Sequence, residues 1–428
     1  MSLNRNTPPK IYSVDGVEYI EPKCHKLSNG VELFTMKSGD QEVVKLDFMF
    51  KAGSWYAKSR LDSMMAALML QEGTETLNAS QIANTFDFYG AQFSSNSSYD
   101  NNYVTLVALN KYLPELLPLV SDILRNASFP ESEFEILRQK RKQKALVDAE
   151  RVGLVAQRGF LRNLFGEGHP YAPVASPDTY DTLLLSEVKQ HYRNFYRSDN
   201  MSIIASGFID SEVIDLIATN FSQSWGDKAS AASKDSYRLP KAKKSITIEK
   251  EGANQNAIAI GKLFPKQDHP DFPGLKLLCT ILGGYFGSRL MTNIREEKGY
   301  TYGIQASPIS FQQEGVLLIF AEVKMDKTSE AIKEVFYEMD RLTKELITEQ
   351  ELIPIQNYLL GRILEDFDGP FARAQTFASL REVDLDFEYY TKLIETFKTM
   401  KPQQIRALAK KYLKPASMIT VIAGTNQQ

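Results

Sequence analysis

The sequence predicts an α/β fold made of two homologous domains, each a mixed, mostly antiparallel β-sheet packed with helices. Three observations predict it. Alternating and helix-periodic apolar patterns follow one another in the order strands, helices, strands, long helix, helix, strand, and the order occurs twice. Residues 201–207 (MSIIASG) resemble residues 418–424 (MITVIAG) at an offset of 217, an offset that Phe195 with Tyr412 and Val188 with Ile405 share and that Glu133 with Glu351 keeps to within one residue. Between the two halves, GDKASAASKDSYRLPKAKKS is polar, rich in Ala and Ser, and lacks helical periodicity. The expected organisation is an N-terminal arm (1–22), a first domain (23–225), a linker (226–245) and a second domain (246–428).

The first half opens on a hairpin at Asn29-Gly30, with Val31, Leu33 and Thr35 alternating after it. The strand VVKLDFMF leads to a helix that Asp62 or Ser63 can cap and that stops at Gly73. Ser80 begins a helix that ends at Gly90, and two strands follow. Leu113, Leu116, Val120 and Leu124 mark an amphipathic helix. Residues 131–166 read as one long, highly charged helical stretch, and a helix and a buried strand close the half. In the second half, NQNAIAIGKL (254–263) is a candidate edge strand.

Bulk properties exclude several classes. A net charge of −3 implies neither a nucleic-acid nor an acidic-membrane partner. Cys24 and Cys279 give neither a disulfide framework nor metal-ligand spacing. The start carries no basic-then-apolar signal pattern, so a cytoplasmic location is expected, or a periplasmic one if a signal has been removed. The basic run RQKRKQK (138–144) is expected to be a solvated helix face.

The most informative stretch is LGGYFGSRLMTNIREEKGYTYGI (282–304). It reads as a glycine turn, a short helix capped by Ser288, a stop at Gly299 and a strand. Gly283, Gly284 and Gly287 permit close backbone approach and positive φ. The reversal at Gly299 can bring Arg295 and Tyr302 to one point, where two donors suit a carbonyl or a developing oxyanion. The other reading of the same residues is an Arg paired with a nearby Glu and a Tyr packed in a sheet.

The string GGYFGSRL…IREEKGYTYG resembles the second-domain signature of pitrilysin-type (insulinase-like) peptidases, the inverted zinc peptidases whose active members carry H-x-x-E-H. The resemblance covers nearly the whole chain. It implies a clamshell-half architecture of two related α/β domains. It also implies that Arg295 and Tyr302 bind substrate peptide near the scissile bond. Active relatives place a Gly-Thr after the metal helix, and Gly73-Thr74 sets that register here. The two histidine positions then fall on Met64 and Leu68, the glutamate base on Ala67, and the third ligand near Gln143. None of these side chains can replace the family's ligands or base. His25, His169, His191 and His269 have no second ligand at helical spacing and read as structural.

The resemblance thus implies a non-catalytic, substrate-binding subunit that holds no cofactor. Zinc is expected on a partner subunit of the same family, with a peptide as the shared substrate and no membrane or nucleic-acid partner. Self-association in isolation is compatible with this. The alternatives are a non-enzymatic scaffold of the same fold and, against the residues at 64, 67 and 68, a self-sufficient zinc peptidase.

Overall fold

A computed structural model describes residues 16–17, 19–173, 176–226 and 237–425. Half of the expected linker (227–236) and most of the N-terminal arm (1–15 and 18) lie outside the described residues. The first sheet contains β1 (Lys23–Lys26), β2 (Glu32–Lys37), β3 (Val43–Phe50), β4 (Gln92–Ser97), β5 (Asn102–Leu109) and β6 (Met201–Gly207), in the spatial order β1-β2-β6-β3-β5-β4. The second contains β7 (Ser245–Glu249), β8 (Asn256–Phe264), β9 (Thr301–Ser310), β10 (Gly315–Val323) and β11 (Ile419–Gly424), in the order β7-β11-β8-β10-β9.

Leaving out β1, the two orders are the same. In each sheet the last strand enters the interior, parallel to one neighbour (β2 or β7) and antiparallel to the other (β3 or β8). A parallel neighbour requires a long crossover, and the intervening helices supply it. The repeat read from the sequence is visible in the elements. Helices Leu185–Phe195 and Pro402–Tyr412 lie 217 residues apart at both ends. Gly207 and Gly424 end the interior strands at φ 110° and 141°.

The halves interlock. Helix Val152–Phe165, from the first half, packs on β8 and β11. Its repeat equivalent, helix Gly369–Glu382, packs on β2 and β6. Ala156 and Phe160 therefore share a core with Ala257, Ala259 and Val421, while Phe34, Met36 and Ile204 share one with Phe377 and Leu380. The approach is close: a Cβ on Gly159 would meet Ile248 Cδ1 of β7 at 2.4 Å.

Several expectations are corrected. The charged stretch is two helices, Glu131–Glu150 and Val152–Phe165, broken at Arg151 with ψ 104°. The break lets the apolar second part cross to the other sheet. The cap of helix Arg60–Met69 is Ser59. Its side chain and that of Asp62 form a reciprocal capping box, and the Ser63 hydroxyl instead donates to the Ala52 carbonyl at 2.7 Å. Asn78 with Gln81 caps the next helix, which starts at Ala79 rather than being opened by Ser80. Residues 254–263 are not an edge: β8 pairs with β10 on one side and β11 on the other, and 256–261 are all buried. The basic run is a surface face laced with ion pairs, Arg138 to Glu135, Lys142 to Asp181 and Lys144 to Asp148.

Candidate functional site

Helix Arg60–Met69 buries Met65, Ala66, Ala67 and Met69 completely, while Met64 and Leu68 are half-buried. Met64 lines a cavity of about 400 Å³ together with Ala145 and Ala149 of helix Glu131–Glu150. Arg60, Arg158, Arg162 and Lys250 line it too. Arg60 stacks on the Tyr99 ring at 4.2 Å, and Arg158 pairs with Asp148 at 3.1 Å. Gln143 is exposed and does not line this cavity. A thioether, a methyl group and an isobutyl group stand where imidazoles and a carboxylate would be needed. Beside Met64, four cations against the one carboxylate of Glu249 oppose a further positive charge. These residues do not fit zinc. Among the described residues no group of three or more His, Cys, Asp or Glu is placed to hold a metal ion.

The histidines are held by local bonds. His191 is buried and its Nε2–H donates to the Ala52 carbonyl at 2.8 Å; desolvation pushes its pKa down to about 4. His169 Nδ1 accepts the Tyr171 N–H at 3.0 Å inside an aromatic cluster with Trp55 and Phe165. His269 Nδ1 accepts the Asp271 N–H at 3.0 Å, and His25 Nε2 lies 3.0 Å from Thr35 Oγ1.

The stretch before β9 is more irregular than its sequence suggests. Residues Met291–Glu297 form a π-type turn, and the Tyr300 N–H donates to the Ile294 carbonyl at 3.0 Å. Ser288 does not cap it; its Oγ is buried without a partner among the described residues. Gly299 reverses the chain at φ 62°. Gly283 and Gly284 do not adopt positive φ, and their role is proximity: a Cβ on Gly283 would lie 2.7 Å from the Ala306 nitrogen. Carboxylates anchor the turn. Arg289 makes a two-pronged pair with Glu351 at 2.7 and 3.0 Å, Lys298 pairs with Glu334 at 2.5 Å, and Asn293 donates to Glu338 at 2.7 Å.

Arg295 is treated differently. It is half-buried, stacks over the Phe286 ring at 4.4 Å, and makes no ion pair among the described residues. Tyr302, the second residue of β9, is 89% exposed. A register shift between Ala321 and Val323 of the facing strand lies opposite it, and Thr301 Oγ1 locks the irregularity by hydrogen bonds to Glu322 O at 2.6 Å and Gly303 N at 3.0 Å. Arg295 and Tyr302 thus flank the reversal at Gly299, and both keep their donors available. Phe286 and Thr301 escaped sequence reasoning. The only available signal was an aromatic in a glycine-rich turn.

The outer edge of β9 is closed beside them. The Ile304 N–H points at Met291 Sδ, 3.4 Å away; Gly283 covers Ala306; and Pro308 has no N–H to offer. At this end the chain presents side-chain donors rather than a strand edge.

Residues 34–169 match the family model described as insulinase (peptidase family M16), and residues 183–359 match that described as the peptidase M16 inactive domain. The chain belongs to the M16 peptidase family. An uncharacterized zinc protease of Rickettsia felis is 24% identical over 349 residues, covering 79% of this chain and 82% of the relative. A peptidase M16 inactive domain from Pseudomonas fluorescens superposes with a TM-score of 0.83 at 21% identity, covering 95% of this chain and 99% of that one. A protease from Helicobacter pylori does so with a TM-score of 0.84 at 21% identity, covering 94% and 99%. The M16 fold, two sheets each packed by helices, therefore spans both halves. Within it, this chain carries Met64, Ala67 and Leu68 in a helix that cannot bind zinc.

Proposed function

We propose that this M16 chain is the substrate-binding, metal-free subunit of a two-chain peptidase, with domain limits of 23–225 and 246–428. Arg295 and Tyr302 hold the peptide and donate to the scissile carbonyl as it gains negative charge. Zinc and its activated water belong to the partner subunit. The observation that carries this reading is selective: Arg289 and Lys298 of the same turn are paired with carboxylates, while Arg295 makes no ion pair among the described residues and Tyr302 stands in solvent. The other reading of these residues, an Arg paired with Glu and a Tyr packed in its sheet, does not match this arrangement. Neither residue lines the cavity at Met64, which suits a site completed by a second subunit.

The test is steady-state kinetics of the chain mixed with a zinc-bearing M16 subunit. Arg295→Ala and Tyr302→Phe should each lower kcat by about 10²–10³, as loss of a charge-stabilising donor does. Unchanged kcat in both variants would favour a scaffold role instead. Among the described residues no helix is long and apolar enough to cross a membrane.

A further inference from the structure

Behind the C-terminal half of β9 the helix layer encloses a second cavity, of about 470 Å³. Ala306, Pro308 and Ser310 form its sheet side, and helices Phe272–Cys279, Glu349–Asp366 and Glu388–Thr399 supply the rest. Its polar lining combines Lys276 and Arg362 with Asp366, Tyr389 and Tyr390. Two cations thus face one carboxylate.

Lys276 is the unusual member. Its neighbours along the helix, Leu275, Leu277 and Leu278, are fully buried, and desolvation pulls its pKa below the usual lysine value. Asp366 acts on it only through space, and among the described residues its ammonium donates no hydrogen bond and makes no ion pair. Asp366 already accepts the Tyr390 hydroxyl at 3.3 Å. Lys276 is half-buried and its ammonium, partly withdrawn from water, has no acceptor among the described residues, so a bound anion in the cavity would stabilise it. Arg362 stands farther out, 58% exposed and paired with Glu365 at 2.8 Å. Phe272, Leu359 and Pro308 give the cavity apolar walls, so the anion it suits is carried on an organic body.

We propose that this cavity binds the carboxylate of an amino acid or short peptide, with Lys276 as the ion-pair partner, Arg362 at the mouth and the Tyr389 hydroxyl as a further donor. The volume suits a ligand of one to three residues. The site is separate from Arg295 and Tyr302 and does not depend on their role.

Calorimetric titration of the purified full chain tests it with acetyl-Ala-Ala, its C-terminal amide and acetyl-Glu-amide. Acetyl-Ala-Ala should bind at least about tenfold more tightly than the amide. Comparable binding of acetyl-Glu-amide would assign the site to acidic side chains as well as to chain ends, and uphold the carboxylate. Lys276→Met, which removes a half-buried charge, should fold with an unchanged or higher Tm and lose about tenfold or more in affinity. Arg362→Gln, at the exposed rim, should lose several-fold, and it stands in should the Met variant fail to fold. Equal binding of acid and amide, no binding of any carboxylate, or full affinity in folded Lys276→Met would overturn the proposal.

Discussion

The role proposed for Arg295 needs a support that does not consume its N–H groups. Phe286 supplies one: a ring face at 4.4 Å attracts the guanidinium and leaves its five donors for a ligand. Phe286 is 62% exposed, so replacing it should leave the fold intact. Phe286→Leu should lower kcat/KM of the mixed peptidase by about 2- to 30-fold, the equivalent of roughly 0.5–2 kcal/mol, with Tm unchanged. Comparing the kinetics and melting of this variant with wild type checks both halves of the expectation. The positions Met64, Ala67, Leu68, Arg295 and Tyr302 were legible because Gly73-Thr74 and the IREEKGYTYG string set a register. Phe286 was not, because contact across a π-type turn follows no helical spacing.

At the scale of elements, the glycine turn and β9 form one unit. Gly283 lets the turn lie against the β9 backbone, and that contact both covers a strand edge and fixes where the turn carrying Arg295 begins. Gly283→Ala would push a methyl group to 2.7 Å from the Ala306 nitrogen. Thermal melting should show a loss of roughly 1–3 kcal/mol, since the two nearest atoms, the nitrogen and Cβ of Ala306, are fixed to the strand and cannot swing away. Most element types could be read from pattern: Asn29-Gly30 turns the first hairpin, and 201–207 is an interior strand. Two readings failed for physical reasons. The charged stretch from 131 has neither Gly nor Pro at Arg151 to announce the break. The stretch 254–263 reads as a candidate edge, yet β8 has a hydrogen-bonded partner on each side, and Asn256–Gly261 is buried throughout, as the near-continuous apolar run Ala257–Ile260 suits.

Across the whole molecule, each half lends a helix to the other's sheet, so neither sheet keeps both faces covered alone. Polar bonds join the same seam. Tyr171 donates to Asp100 at 2.8 Å and accepts from the Gln313 N–H at 3.1 Å. Unfolding of the isolated chain should be a single transition by both far-UV circular dichroism and tryptophan fluorescence; two separated transitions would deny the interlock. Glu382, at the end of the swapped helix, is held against Asp100 and Asn101, and burial raises its pKa from 4.5 to about 7. A raised carboxyl binds protons more tightly in the folded chain, so stability falls as pH rises from about 4.5 to 7. Glu382→Gln should therefore stabilise the chain at pH 8 by roughly 1–2 kcal/mol and have little effect at pH 4, as denaturant titration at the two pH values would register.

We propose that this M16 chain contributes to peptide hydrolysis without a metal centre of its own. The most direct measurement is the hydrolysis rate of a fluorogenic peptide by this chain alone, by a zinc-bearing M16 subunit alone, and by the two mixed. The mixture should hydrolyse the peptide far faster than the sum of the separate rates, and this chain alone should not hydrolyse it. Hydrolysis by this chain alone, or a mixture no faster than its parts, would contradict it.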